Sequence, residues 1–144
     1  MITVKIKKVR EYALIPQYAH TADAGVDLYA AEAMTAPAGG QVLVPTGLAM
    51  AIPEGYEGQV RPKSGLALKH SLTLTNTPGT VDSHYRGEIQ IIVFNLGKKE
   101  YVIEKGTKIA QMVFNKVEHA TFTEVDELDT TQRGKGGFGS TGIK

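Results

Sequence analysis

Gly39-Gly-Gln-Val-Leu-Val-Pro-Thr-Gly-Leu-Ala-Met-Ala-Ile-Pro-Glu-Gly55 decides the fold. Val42, Leu43 and Val44 form one short apolar run, and Leu48 to Ile52 forms the next. Pro45 and Gly47 break the first; Pro53 and Gly55 end the second. Breakers at that interval mean short strands joined by tight turns. The pattern extends in both directions. Upstream, Ile2, Val4 and Ile6 alternate with polar residues, a period of two that predicts a strand with one buried face. Asp23 to Ala30 is short and mixed, with Gly25 near Asp27. Downstream, Gln59 to Arg61, Leu72 with Leu74, Ile89 to Phe94, Tyr101 to Ile103, Ile109 to Phe114 and Ala120 to Val125 supply further strands. Only Ser64 to His70, after Pro62, lacks alternation; Leu66, Ala67 and Leu68 make it the one helical turn, with Ser64 as its cap. Roughly ten short strands and no amphipathic helix of useful length predict an all-β sandwich, barrel or jelly roll.

The 144 residues, 42% apolar and 22% charged, fit one globular domain with a core of its own. Net charge is +1, so no global field draws the chain to nucleic acid or an anionic membrane, and neither is expected as a partner. There is no cysteine, which excludes disulfide and thiol chemistry and is compatible with a cytoplasmic site. Met1 to Arg10 carries basic residues with no apolar core behind them, unlike a signal peptide, and no run approaches the ~18 apolar residues of a membrane span. Composition changes near Asp126. From there on the only large apolar side chains are Leu128, Phe138 and Ile143, and five of the nine residues from Gly134 to Gly142 are glycine. The expected division is a β core over 1–126 and a mobile, Gly-rich C-terminal arm over 127–144, because such a tail buries too little surface to order itself.

The chemistry centres on Asn76-Thr-Pro-Gly-Thr-Val-Asp-Ser-His-Tyr-Arg-Gly-Glu-Ile-Gln-Ile-Ile-Val93. Turn residues open it, Asp82 and Tyr85 follow three apart, and Gly87 leads into a β-branched run. This reads as a hairpin that offers an acid and a ring at its tip; taken alone it reads equally as a solvated turn. The tail Arg133-Gly-Lys-Gly-Gly-Phe-Gly-Ser-Thr-Gly142 combines glycine backbone N–H groups, two hydroxyls and two cations, a set suited to polyphosphate. Phe138, with no core to join, could stack on a base, the alternative being a disordered end with an incidental aromatic. In Arg61-Pro-Lys-Ser-Gly-Leu-Ala67, Lys63, Ser64 and the Gly65 N–H lie at a helix start, where phosphate is favoured, although a plain helix cap would look the same. A P-loop is rejected because the glycine before the lysine is missing. Asp27 within Ala24-Gly-Val-Asp-Leu-Tyr-Ala30, and Gln111 within Gly106-Thr-Lys-Ile-Ala-Gln-Met112, are polar groups set in apolar strands, either satisfied structurally or part of a site. The four histidines lack zinc-ligand spacing and the acids do not cluster, so a metal would arrive on a substrate.

Taken along the chain, Ala24–Ala30, Pro62–Ala67, Gly79–Glu88, Gly106–Met112 and Arg133–Gly142 resemble in order the five motifs of the trimeric deoxyuridine triphosphate nucleotidohydrolases, the dUTPases, across nearly the whole chain. The resemblance implies a jelly-roll, β-clip-like protomer with one short helix, in a homotrimer whose active sites are shared between three chains. The implied reaction converts dUTP and water to dUMP and pyrophosphate, which keeps uracil out of DNA and supplies dUMP for thymidylate synthesis. Asp82 is implied as the general base, with Gln111 and Ser64 completing the catalytic set by positioning water and phosphate. Tyr85 would pack on deoxyribose. Asn76, Gly79, Thr80, Val81 and Gln90 would read uracil, the rigid turn excluding thymine by clash. Lys63, Ser64, Gly65 and Gln111 would meet the phosphates, with Arg133, Gly139, Ser140 and Thr141 of the arm holding the outer ones and Phe138 covering the base. Mg2+ would ride on the triphosphate and approach Asp27 through water. Lys63 stands where the family more often has arginine, His84 where an acid or glycine is commoner, and Thr107-Lys108 where an acid-arginine pair is usual; activity is expected to survive.

Three other readings bear on these residues. A dCTP deaminase shares the fold but usually has Pro-Gly and an aromatic after the central acid, where this chain has Ser83-His84-Tyr85. A nucleotide-responsive regulatory protein would use the same site to switch contact with a protein partner, and no residue pattern speaks against one. An inactive structural jelly roll leaves Asp82, Tyr85 and the Phe138 arm unexplained together.

Overall fold

Side-chain alternation sets the strands. In a computed structural model that describes residues 1–142, the elements run β1 (Lys5–Lys8), β2 (Gly25–Tyr29), β3 (Met34–Ala36), β4 (Gln41–Pro45), β5 (Leu48–Ala51), β6 (Tyr56–Arg61), α1 (Ser64–His70), β7 (Leu72–Leu74), β8 (Gly79–Val81), β9 (Gln90–Asn95), β10 (Tyr101–Ile103) and β11 (Lys108–Lys116). One sheet has the order β2-β11-β6-β8, a second β4-β9-β7, and the pairs β1-β5 and β10-β3 flank them. Every ladder is antiparallel. Val26, Leu28, Val60, Ala110 and Met112 from the first sheet and Val44, Leu72, Leu74, Ile91 and Val93 from the second belong to one core cluster. The result is the expected all-β jelly roll, with one short helix among the described residues.

Among the described residues the core holds two buried polar side chains, Thr46 and Asn95, and both are satisfied. Thr46 Oγ1 donates to the Ile89 carbonyl at 2.6 Å. Asn95 Nδ2 donates to the carbonyls of Ala36 (3.1 Å) and Lys99 (2.8 Å), while its Oδ1 accepts from the Gly97 N–H at 2.8 Å.

Several expectations are corrected. The Asp82–Tyr85 turn is not a hairpin tip, because β8 pairs with β6 whereas β9 pairs with β4 and β7. Ile91 and Val93 point into the core, and their strand is claimed by the sheet whose apolar face completes that layer, with Leu74 opposite Val93. The turn therefore carries the chain from one sheet to the other. No strand forms over Ala120 to Val125: the ladder ends at Lys116, and Phe122 and Val125 are 95% and 55% exposed. Strand-forming residues such as Thr121, Phe122, Thr123 and Val125 make a segment ready for pairing but cannot provide an edge to pair with. β3, only three residues long, was not anticipated, and β1 begins at Lys5 and not at Ile2. The helix spans the expected residues, but its N-cap is Lys63, with no side-chain cap bond, so Ser64 is the first helical residue and not the cap.

Candidate active site

The turn after β8 builds one corner of the site. The Tyr85 N–H donates to the Asp82 carbonyl at 3.1 Å, closing the turn. The Tyr85 ring folds back on the chain and its hydroxyl donates to the Glu88 carbonyl at 2.9 Å. Gly87 lies beneath that ring, where any Cβ would come within 2.6 Å of Tyr85 Cζ, so only glycine permits this pose. Thr80, Val81, Asp82, Tyr85 and Gln90 line a cleft of about 290 Å³. Asp82 is exposed and Tyr85 is 46% exposed, so a carboxyl group and a flat ring border the cleft from one backbone turn. Asn76 packs against Gly79 at the start of β8, its Nδ2 about 3.1 Å from where a Cβ would sit.

A second corner forms where β2, β11 and the start of α1 meet. Gln111 of β11 is in register with Asp27 of β2 on one side and Arg61 of β6 on the other. Its Nε2 donates to the Pro62 carbonyl at 3.0 Å. Asp27 sits between the buried Val26 and Leu28, and its two oxygens receive ammonium groups, Oδ1 from Lys63 and Oδ2 from Lys108 at 2.8 Å. Desolvation pushes the Asp27 carboxyl up, but hydrogen bonds from Lys108 and Lys63 with their charges outweigh it and hold the group below the usual carboxylate range. The Lys108 ammonium is raised in return. Ser64 and Gly65 are exposed at the helix start beside this cluster.

These corners do not meet within one chain. The β6–β8 register pairs Gly58 with Val81, which puts Asp82 near Glu57 at the start of β6, whereas Pro62 and Lys63 follow its other end. At ~3.3 Å per residue, about 15–20 Å of strand separates them. The arm is a third, separate group. Arg133 Nε donates to the Gly136 carbonyl at 2.9 Å, and the Ser140 N–H to the Gly137 carbonyl at 3.0 Å, so these bonds stay inside the arm. Phe138, with φ 49°, is fully exposed, and Gly139 and Thr141 lie in the turns around it. Among the described residues no three His, Cys, Asp or Glu side chains converge as a metal site.

One constellation was not anticipated. Arg10 grips Glu88 with two nitrogens, Nε to Oε1 at 2.6 Å and Nη2 to Oε2 at 3.0 Å, and also pairs with Glu32. The Gly47 N–H adds a third bond to Glu88 Oε1 at 2.8 Å. The hydrogen bond from Arg10, its charge and the Gly47 N–H together prevail over burial and hold the Glu88 carboxyl below its usual range. An acid leading into an apolar strand is a signal that a partner must exist. Nothing in the sequence says that the partner is Arg10, 78 positions away.

Stability should follow the two depressed carboxyls. The unfolded chain binds more protons than the folded one once pH falls to the ordinary carboxylate range, so their contribution is complete above that range and is lost as pH falls through the folded values. Urea midpoints should therefore be lower at about pH 3.5 than at about pH 6. Glu88→Gln should lower the midpoint at neutral pH by about 1–2 kcal/mol equivalent and flatten the acid limb, since one of the two responding groups is gone. An acid limb as steep as that of the wild type would show that Glu88 does not contribute.

Residues 11–142 match the dUTPase family model. The deoxyuridine 5'-triphosphate nucleotidohydrolase of Alkaliphilus metalliredigens is 51% identical over 144 residues, covering 100% of both chains. Among solved structures, the dUTPase of Staphylococcus bacteriophage 80alpha with dUPNHPP is similar at a TM-score of 0.89 and 28% identity, over 99% of this chain and 100% of that one. A mutant dUTPase from phage phi11 of S. aureus, described with a structural Mg(II) ion, is similar at a TM-score of 0.82 and 25% identity, over 88% of this chain and 98% of that one. The family match spans nearly the full length, half the residues are identical to those of a full-length relative, and the architecture agrees throughout: the chain belongs to the dUTPase family.

Proposed function

We propose that this protein hydrolyses dUTP to dUMP and pyrophosphate, and the observation that carries the site assignment is the exposed Asp82 carboxylate beside the Tyr85 ring in one cleft. Asp82 accepts a proton from the attacking water as that oxygen bonds to the α-phosphorus; the bond from the α-phosphorus to the bridging oxygen breaks, and pyrophosphate leaves with the electron pair. Tyr85 meets the deoxyribose face, and Asn76, Gly79, Thr80, Val81 and Gln90 offer the polar and backbone groups that read uracil. Ser64, Gly65, Lys63 and Gln111 hold the phosphates and orient water.

Because Asp82 and the Ser64–Gln111 corner lie at opposite ends of β6, a complete site draws on more than one copy of the chain. A trimer in which three chains share each site supplies them. The β core over 1–126 then acts with the arm over 127–144, whose Arg133, Ser140 and Thr141 reach the outer phosphates and whose Phe138 covers the base. Mg2+ carried by the triphosphate would neutralise charge that develops on its oxygens. Asp27 would approach such an ion through water, since both of its oxygens are already held by ammonium groups.

Pyrophosphate release from dUTP, UTP, dTTP and dCTP, each with Mg2+ and again with EDTA, tests the reading. Release from dUTP that exceeds the others by about a hundredfold or more, and that fails in EDTA, is the expected result. Equal rates with dUTP and UTP would overturn the sugar assignment, and silence with all four from folded protein would overturn the activity.

A further inference from the structure

We propose that the Arg10–Glu88 ion pair is a positioning device for the Tyr85 ring, and so helps set the discrimination between deoxyribo- and ribonucleotides. The inference rests on the reading that Tyr85 meets the sugar. Tyr85 is 46% exposed, so the core does not fix its ring. Its pose has two anchors, the hydroxyl bond to the Glu88 carbonyl at 2.9 Å and the bare Cα of Gly87 beneath the ring. Both anchors belong to the backbone of residues 87–88, which precedes β9 and has no ladder of its own. The Ile89 N–H, in the same peptide as the Glu88 carbonyl, donates to the Leu48 carbonyl at 2.8 Å, and the Glu88 side chain adds a second hold through the Arg10 fork at 2.6 and 3.0 Å and the Gly47 N–H at 2.8 Å.

Gly47 can reach Glu88 only because it is glycine. Its φ is +71°, and a Cβ there would lie 2.8 Å from the Tyr12 carbonyl oxygen. The Val9 N–H in turn donates to the Gly47 carbonyl at 2.8 Å, tying the segment that carries Arg10 to the same turn. An N-terminal segment, the β4–β5 turn and the Tyr85 turn thus converge on one carboxylate. A sugar gate that works by steric fit is sensitive to sub-ångström displacement, and a misplacement of about 1 Å can cost a hundredfold. A guanidinium fork resists such displacement better than a single ammonium contact.

The test compares kcat and KM for dUTP and UTP in the full-length wild type and in Arg10→Met, Arg10→Lys, Tyr85→Phe and Tyr85→Ala, with thermal midpoints recorded. Arg10→Met should raise KM for dUTP about tenfold, leave kcat within about threefold, and narrow the dUTP:UTP ratio of kcat/KM about tenfold. Arg10→Lys, which keeps the charge but not the fork, should narrow it about threefold, as should Tyr85→Phe, which removes only the anchoring hydroxyl. These two mild variants decide the matter if Arg10→Met does not fold. A wild-type ratio in both, whatever happens to the midpoints, would make the pair merely structural and overturn the proposal. Tyr85→Ala separates the two readings. If it collapses the ratio while the Arg10 and Tyr85→Phe variants do not, the brace alone is wrong; if it leaves the ratio untouched, the sugar assignment fails and takes the brace with it.

Discussion

Replacing Asp82 by asparagine is expected to lower kcat for dUTP by a factor of about 10²–10⁴ while KM stays within a few-fold, because an amide of the same shape cannot take the proton from water. The side chain is exposed on a turn, outside the core, so the fold has no reason to respond. Steady-state kinetics on dUTP, with the urea midpoint measured alongside, check both halves of the statement. The contrast with Tyr85→Ala is informative. Loss of the base removes a transition-state interaction and appears in kcat, whereas loss of the ring removes ground-state fit to the sugar and appears in KM and in the dUTP:UTP ratio. A rate within about fivefold of wild type for Asp82→Asn would place the base elsewhere.

The second large effect is expected from the arm. A chain ending at Asp126 should lose about a hundredfold in kcat/KM for dUTP, since Arg133, Ser140 and Thr141 no longer order the outer phosphates and Phe138 no longer closes over the base. Its unfolding midpoint should barely change. The bonds that Arg133, Gly134, Gly136, Ser140 and Gly142 make stay within the arm, and Leu128 and Phe138 are 84% and 113% exposed, so little packing is lost with them. Full activity in the shortened chain would show that the arm takes no part, and a large fall in the midpoint would show that it belongs to the core. Phe138→Ala alone should give a smaller loss, confined to the fit of the base.

Much of the fold is legible because β structure leaves local marks. The Pro45, Gly47, Pro53 and Gly55 breakers bound β4 and β5 almost to the residue, and the loss of alternation after Pro62 marks the helix. What fails is what depends on a partner. Asn76 to Val93 has the composition of a hairpin, yet its two halves join different sheets, because burying Ile91 and Val93 against the core outweighs the short-range closure a hairpin offers. Ala120 to Val125 is rich in strand-forming residue types, and with no edge beside it stays unpaired. The helix cap differs for a related reason: Ser64 is a good cap by type, but Lys63 takes the position and turns its side chain to Asp27, a residue 36 positions away.

For the site, the division is the same. Residue type and short spacing single out Asp82 with Tyr85, Lys63-Ser64-Gly65, Asp27, Gln111 and the Gly-rich arm as candidate groups, and their order along the chain is enough to resemble a family. Where those groups stand comes from the fold. It puts Asp27, Lys63 and Gln111 in one corner through the β2–β11–β6 register, sets Asp82 and Tyr85 apart on a turn between sheets, and ties that turn through Glu88 to Arg10. The physical reason is that strand pairing and long-range ion pairs are selected by which faces the whole chain buries together, and no window of sequence contains that choice.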